Sequence, residues 1–147
     1  MLNSFFEVGV RYDKTMDNGQ VKKVTEEYLV EALTFSEAES RITDEMKSYI
    51  SGEFRVVTMR MLNVVEVVDC QDPMADKFYK MKHSLITIDE KTANEKRHTQ
   101  VLLFRAASVE DARQRYERYI GGTMLDTVLK QVSETNILDF FKLNIES

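Results

Sequence analysis

The side chains best suited to do chemistry are basic and aromatic groups concentrated in residues 77–122. This segment holds 10 Lys and Arg against 6 Asp and Glu, whereas residues 1–76 hold 8 against 15, and the whole chain carries a formal charge of −5. Because cations meet phosphates and aromatic rings stack on bases, this mixture predicts binding of single-stranded nucleic acid. A solvated charged face over an aromatic core is the alternative interpretation. The predicted binding residues are Lys77, Phe78, Tyr79, Lys80, Lys82, Lys96, Arg97 and Arg105.

A second set of cations favours a small phosphorylated ligand. Arg41, Arg115 and Arg118 fall in the two segments predicted to be helices, and an arginine can hold a phosphate through two parallel hydrogen bonds. These arginines predict, as an alternative, a protein that binds a nucleotide in a groove of a duplicated β-rich scaffold. The same positions are also compatible with an ordinary helix surface.

Two matched carboxylates are the only feature that would suit a metal ion or acid–base chemistry. Glu66 and Asp139 each stand three residues after an asparagine, at equivalent points of the two halves of the chain. Brought together, they would suit a metal ion or a general acid–base pair. The alternative is that both lie at strand ends, facing solvent or pairing with Arg41 and Arg115.

The remaining reactive side chains form no recognisable catalytic set. Cys70 has no positional link to either histidine, and its acidic neighbours disfavour a thiolate. We expect His83 to be packed and hydrogen-bonded on a strand, and His98 to be exposed at a strand edge. The sequence contains neither a glycine-rich phosphate loop nor a nucleophile elbow. It therefore predicts a protein without enzyme activity and without a cofactor.

Length and composition limit the elements that position these side chains. A chain of 147 residues, 43% hydrophobic and 31% charged, is ordinary for one globular domain or two small halves. No apolar run approaches the roughly 20 residues that span a bilayer, and a single cysteine excludes an internal disulfide. Since the N-terminus lacks a basic head followed by an apolar stretch, we expect an intracellular protein.

The two halves of the sequence echo each other. Residues 5–8 match 78–81, residues 34–38 match 108–112, and residues 63–68 match 136–141, always in the same order. Each half is typical of strand, strand, helix, strand. We therefore predict an α+β fold of tandem duplicated β-β-α-β units, with antiparallel sheets related by a pseudo-two-fold axis. The expected units are 1–68 and 77–147, joined by a linker at 69–76 and packed as one domain.

Local signals place the elements of each unit. Alternation of apolar and polar residues predicts the first strand, and Asp17-Asn18-Gly19 predicts a hairpin turn. Thr34 and Ser108 are expected helix N-caps. The segment 54–68 is expected to be a central, well-covered strand, and a last strand is expected within 128–141. Whether the third strands stay in their own unit or are exchanged is left open. The predicted apolar stripe of the first helix is Phe35, Ala38, Ile42, Met46, Tyr49 and Ile50.

Most of the chain resembles an uncharacterised family of small proteins from Bacteroidetes and from their phages and mobile elements. The resemblance rests on the stretches FFEVGVRYDKTMDNGQVKKVTEEYLVEAL, TFSEAESRI, SYISGEF, ITIDEKTANEKR and VSETNILDFF. It implies an accessory protein of a phage or mobile element in the cytoplasm of the bacterial host, and it supplies no activity, cofactor or site residue.

Two functions are therefore expected, both without enzyme activity. One is single-stranded nucleic-acid binding in phage DNA replication or recombination. The alternative is a counter-defence protein that sequesters a host signalling nucleotide or blocks a host protein. Unpaired strand edges also make a homo-oligomer plausible, with no membrane partner.

Overall fold

The computed structural model describes residues 3–143 and has a mixed α+β fold, as the sequence predicts. Two helices accompany eight strands that form two four-stranded sheets. No helix among the described residues has the length and apolar character needed to span a bilayer. In chain order, the elements are β1 (Ser4–Thr15), β2 (Val21–Ala32), α1 (Phe35–Tyr49), β3 (Phe54–Leu62), β4 (Glu66–Val68), β5 (Lys77–Ile88), β6 (Glu95–Ala106), α2 (Val109–Gly121), β7 (Thr127–Glu134) and β8 (Ile137–Phe141).

Both sheets are built around a long antiparallel hairpin. The first has the strand order β3-β1-β2-β8 and the second the order β4-β6-β5-β7. Strands β3 and β7 pair antiparallel with β1 and β5, whereas the short strands β8 and β4 pair parallel with β2 and β6. The expectation of purely antiparallel sheets is therefore wrong at the two short strands.

The short strands join the sheet that does not contain the strand immediately before them. Strand β4 follows β3 after residues 63–65, and β8 follows β7 after residues 135–136. These links are too short for the crossover that parallel pairing within the same sheet requires, which takes about a dozen residues. The links therefore exclude parallel pairing within the sheet of the preceding strand. Each short strand pairs with the other sheet, while the third strands β3 and β7 remain with their own hairpins.

The division of the chain follows this exchange. Within the described residues, the first unit takes in the chain up to Leu62 and again from Asn136, and the second unit takes in Asn63–Thr135. The expected boundaries had placed 63–68 with the first unit and 136–141 with the second. The observed division differs at both segments because parallel strand pairing holds them in the other sheet.

Strand β3 is an edge strand, and the expected central strand over 54–68 is wrong. The segment breaks after Leu62, and β3 pairs with β1 alone among the described strands. Its side chains are half-buried or exposed in alternation, as at Val57 and Thr58. The many Val and Met residues of this segment reflect packing of one face against α1, which a composition argument cannot distinguish from burial on both faces.

Each helix covers one face of its hairpin. The N-caps are confirmed, because Thr34 Oγ1 accepts a hydrogen bond from the Glu37 amide (3.1 Å) and Ser108 Oγ accepts one from the Asp111 amide (3.0 Å). Phe35 and Tyr49, expected in the buried stripe of α1, are 50% and 65% exposed. The first core contains Phe6, Val8, Val10, Val30, Ala32, Ala38, Ile42, Met46 and Phe141. The second contains Tyr79, Met81, Leu102, Phe104, Ala106, Ala112 and Tyr116.

Candidate functional site

The β5–β6 hairpin positions the residues predicted to bind nucleic acid. In its register Lys80 lies opposite Leu103, Lys82 opposite Val101, and Arg97 opposite Ile86. Because side chains alternate between the two faces of a strand, the predicted cations divide between the faces. Lys80, Lys82, Arg97 and Arg105 share one face, while Lys77 and Lys96 lie on the face that α2 partly covers.

The two aromatic rings of the predicted surface are buried. Phe78 has no exposed surface, and the guanidinium carbon of Arg105 lies 5.1 Å from its ring centroid. Tyr79 is 1% exposed and belongs to the second core. A ring in the core cannot stack on a base, so the expected stacking surface loses both of its aromatic groups. Large apolar rings in the middle of a strand are retained in the core because their burial is strongly favourable.

Four of the predicted cations are already paired with carboxylates. Lys77 pairs with Glu134 (3.2 Å), Lys96 with Asp89 (3.5 Å), Arg97 with Glu95 (3.8 Å) and Arg105 with Asp69 (3.4 Å). The hydrogen bond to Glu134, together with its charge, raises the pKa of Lys77. Lys80 and Lys82 make no ion pair within residues 3–143, and Lys82 is exposed.

Three arginines from the two predicted sets meet at one cleft of the second unit. Arg105 on β6 and Arg115 and Arg118 on α2 line a cleft of about 340 Å³, together with Cys70 and Tyr119. The helix brings this about because positions 115 and 118 lie one turn apart on the same face. Ligand pockets usually measure about 300–1,000 Å³, so this cleft is of the size that holds a small molecule.

Two of these arginines are held by the segment that leads from β4 to β5. Arg115 donates from Nε to Asp111 Oδ2 and from Nη2 to Asp72 Oδ2, both at 2.8 Å. Arg105 donates from Nε to the Ala75 carbonyl oxygen at 2.9 Å. The segment 69–76, expected to be a plain linker, is therefore fixed against α2 and β6 and forms one wall of the cleft.

Arg118 differs from its two neighbours. It lies in the last turn of α2, is exposed, and has neither a hydrogen bond nor an ion pair within the described chain. Its five guanidinium donors are therefore available to a ligand that enters the cleft.

Tyr119 supplies the aromatic wall of the cleft. Its Oη donates a hydrogen bond to a carboxylate oxygen of Glu66, and this bond, reinforced by burial, raises the pKa of Tyr119 to about 12. The side chain therefore remains neutral at physiological pH. The cleft combines positive charge with a neutral ring, which suits a phosphorylated compound that carries a planar group.

Arg41 occupies the corresponding position of α1, where its guanidinium group binds backbone carbonyl oxygens. Its Nη1 donates to the Glu31 carbonyl oxygen and its Nη2 to the Lys142 carbonyl oxygen (2.6 Å). Arg41 therefore anchors the backbone just after β8, where that strand joins the first sheet. The structure brings together Arg115 and Arg118 of the predicted nucleotide set, and leaves Arg41 with the first unit.

The histidines are placed as the sequence predicts, and the two matched carboxylates lie in different units. His83 is buried, and its ring nitrogens share hydrogen bonds with Tyr116 Oη (2.7 Å) and Gln100 Oε1 (2.9 Å), which confirms a packed residue. His98 is exposed, as expected. Glu66 belongs to the second unit and Asp139 to the first. Over residues 3–143, no group of three or more His, Cys, Asp or Glu side chains is arranged to hold a metal ion.

The hydrogen bond between Asp111 and Arg115 predicts that the stability of the protein falls at acid pH. The hydrogen bond from the Ala107 amide, the Arg115 guanidinium and the charge of Arg118 lower the pKa of Asp111. A lowered folded-state pKa gives stability that is present above the unfolded-state pKa and is lost as the pH falls through the folded-state pKa. Asp111→Asn should therefore reduce stability at pH 7 and flatten its decline at acid pH. Thermal melts between pH 7 and pH 2 measure both, with Glu45→Gln on α1 as the control. A decline as steep as that of the wild type would contradict this role.

Sequence reasoning placed Arg115 and Arg118 in one set but assigned Arg105 to another, so it did not predict that the three arginines meet. Arg105 was assigned to a nucleic-acid surface and Arg115 to a helix groove, and the cleft exists because the segment after β4 runs between β6 and α2. The helical spacing of Arg115 and Arg118 was a signal for that pair, but no local pattern connects the pair to Arg105.

A family model covers almost the whole structure described above. It is the model of a domain of unknown function (DUF4494), and it matches residues 4–143. No curated protein and no solved structure is detectably similar to the chain. Since the matched region runs from the first residue of β1 to just beyond β8, the chain belongs to the DUF4494 family.

Proposed function

We propose that this protein binds a small phosphorylated nucleotide, without turnover, in the cleft of the second unit. The observation that carries the proposal is the convergence of Arg105, Arg115 and Arg118 on one cleft beside Tyr119. Arginine donates hydrogen bonds to phosphate in a fixed, planar arrangement and is not deprotonated near neutral pH. Such groups hold a phosphate firmly but neither accept a proton nor attack it, so sequestration fits them better than catalysis.

The three arginines contribute unequally to this binding. Arg118 has free donors, whereas Arg105 is held by the Ala75 carbonyl oxygen (2.9 Å) and by Asp69 (3.4 Å) and supplies mainly positive charge. Arg115 is held on two sides at 2.8 Å and supplies positive charge rather than new hydrogen bonds. The ring of Tyr119 is placed to pack against the base. Binding should therefore depend most on Arg118.

The direct test is ligand binding by the purified protein and by Arg118→Ala. Thermal-shift and calorimetric titration with a panel of cyclic and linear nucleotides at low salt should identify a compound that stabilises the folded state. Loss of hydrogen bonds to a charged group should weaken that compound's affinity by about tenfold or more in Arg118→Ala. Because Arg118 is exposed and unpaired, the variant should melt close to the wild type in the absence of ligand.

Arg113→Ala is the matched control. Arg113 lies on the same helix but pairs with Glu110 (2.5 Å) and Glu117 (2.7 Å) on the exposed surface. Its removal changes the net charge by the same amount, so an unchanged affinity would attribute the Arg118 effect to the cleft. If no nucleotide stabilises the wild type, or if Arg118→Ala binds as tightly as the wild type, the proposal fails.

Single-stranded nucleic-acid binding is the second candidate, supported by Lys80 and Lys82. These lysines share a face of β5 and have no carboxylate partner among the described residues. Since both rings of the predicted surface are buried, the contact would be mainly electrostatic, with affinity for oligo-dT falling steeply as salt rises. The double substitution Lys80→Glu/Lys82→Glu should abolish it. The double substitution Lys22→Glu/Lys47→Glu makes the same charge change in the first unit and should leave binding unchanged. Equal losses of affinity in the two double variants would reject a local site.

The setting of either function is also a proposal. The resemblance to proteins of Bacteroidetes, their phages and mobile elements supports a cytoplasmic accessory protein, and a nucleotide-sequestering protein would act in counter-defence. Blocking of a host protein remains the outcome to pursue if no ligand binds. The same order of elements in both halves supports a tandem duplication, while the pseudo-two-fold axis and a homo-oligomer stay predictions.

A further inference from the structure

The first unit contains a larger cleft near the turn of its β1–β2 hairpin. It measures about 470 Å³ and lies where β1 and β2 approach their turn and β3 begins. Its cations are Arg11, Lys23 and Arg55, and Tyr12 and Phe54 also line it. None of these residues was selected by the sequence analysis, because strand register decides which of them meet.

Two of the cations face each other across neighbouring strands. Arg11 on β1 lies directly opposite Arg55 on β3, and like charges in that position destabilise a sheet. Arg11 Nε donates to Thr25 Oγ1 (3.1 Å), and neither Arg11, Lys23 nor Arg55 makes an ion pair in the described part of the chain. The cleft is also lined by the carboxylates of Asp13 and Glu53, which make no ion pair there.

Elsewhere in the same strand pair, two side chains that lie opposite each other carry opposite charges. Arg60 on β3 lies opposite Glu7 on β1 and pairs with it at 2.7 Å. In the second sheet the register shifts at the corresponding place, and the pair at the position of Arg11 and Arg55 is Ser84 opposite Val128. An opposed pair of arginines is therefore particular to the first unit. An anion between the two guanidinium groups would remove the repulsion.

Strand alternation separates these cations from the two aromatic rings. Tyr12 lies opposite Phe54 in the register, and both are half-buried on the face that contributes Val8 and Val10 to the first core. Arg11, Arg55 and Lys23 share the other face of the sheet. The anionic group of the ligand, and not an aromatic contact, therefore defines what this cleft can hold.

We propose that this hairpin cleft is a second binding site, for a phosphate monoester, with nucleoside monophosphates as the probes. Arg11 and Arg55 hold the phosphate from both sides, and Lys23 adds charge on the same face of the sheet. The site shares its ligand chemistry with the function proposed for the second unit but uses none of its residues. The two proposals can therefore fail separately.

The experiment titrates nucleoside monophosphates, with the unphosphorylated nucleosides alongside, into four proteins at low salt. These are the wild type, Arg118→Ala, Arg55→Gln, and the double variant. If the hairpin cleft binds, Arg118→Ala still takes up one equivalent of nucleotide, and adding Arg55→Gln weakens that uptake at least about tenfold. The nucleosides should bind much more weakly because they lack the phosphate.

Two readouts separate a binding role from a structural one. Without ligand, Arg55→Gln should melt at or above the wild-type temperature at low salt, because it removes the repulsion from Arg11. Arg60→Gln, the control on the same strand, should lose stability yet keep its nucleotide-dependent shift. The proposal is overturned if Arg118→Ala binds no nucleotide, or if Arg55→Gln in that background binds as tightly as its parent. If instead the arginine cleft of the second unit binds no nucleotide, Arg118→Ala and the wild type should bind nucleotide equally.

Discussion

Replacing Phe141 with alanine is expected to lower the free energy of unfolding of the first unit by about 3 kcal/mol, the lower end of the range for a buried Phe. Phe141 is 8% exposed and belongs to the first core, with its ring centroid 5.8 Å from that of Tyr28. Its backbone pairs with Val30 at the parallel edge of the sheet. The substitution therefore leaves a cavity under α1 and weakens the hold on β8.

The expected loss is local, because Phe141 comes from the far end of the sequence but packs in the N-terminal hairpin. Hydrogen exchange measured residue by residue should show faster exchange in β1, β2 and α1, with little change in β5 and β6. Leu138→Ala is the matched control, since Leu138 lies on the same strand and is 47% exposed. It should cost well under 1 kcal/mol.

A different pattern would contradict the observed pairing. If Phe141→Ala speeds exchange in β5 and β6 and leaves β1 and β2 protected, then β8 belongs with the second hairpin, as its position in sequence suggested. Equally small costs for Phe141→Ala and Leu138→Ala would show that the Phe141 ring does not contribute to a core at this edge.

Gly9→Ala is expected to destabilise the first sheet by about 2 kcal/mol, through the overpacking of a close contact. A Cβ atom on Gly9 would lie 2.3 Å from Thr58 Oγ1 on the neighbouring strand, and 3.4 Å from Thr25 Cγ2 on the other side. Gly9 lies where the register of β1 against β3 shifts. Since glycine inside a strand is otherwise unfavourable, the close approach of Thr58 explains why it is present.

Thr58→Ala provides the test of this explanation. Removing Oγ1 leaves the Thr58 Cβ position 3.6 Å from the added atom, which is an ordinary contact. In that background, Gly9→Ala should be neutral or stabilising, because alanine restricts the unfolded chain more than glycine does. Urea denaturation of the four proteins of the double-mutant cycle gives the coupling. An additive cycle, with the full cost retained in the Thr58→Ala background, would reject the steric explanation.

Local features of the fold could be predicted because they depend on neighbours in sequence. The turn at Asp17-Asn18-Gly19 is confirmed, and Gly19 adopts a φ of +82° that glycine tolerates. The caps at Thr34 and Ser108 are confirmed for the same reason, since a capping hydrogen bond spans only three residues. His83 was correctly placed on the buried face of its strand, because alternation fixes that face.

The candidate sites depended on information that lies outside such short windows. Alternation assigned Phe78 and Tyr79 to opposite faces of β5 but could not show that both faces are covered there. Nor could it show that Arg11 meets Arg55, because a register between strands 44 residues apart is set by the whole sheet. Charge totals proved a poor guide to unpaired charge, since Lys77, Lys96 and Arg105 already have carboxylate partners.

By itself, therefore, the sequence determined the α+β class, the two hairpins, the two capped helices and the buried position of His83. Periodicity and capping, which act over a few residues, are sufficient for these. The tertiary structure alone decided that β4 and β8 are exchanged between the sheets. Their short links exclude a parallel crossover within one sheet but allow an antiparallel hairpin there, so only the pairing of the whole sheet decides their partners. By fixing the segment after β4 between β6 and α2, that exchange also decided which arginines share a cleft.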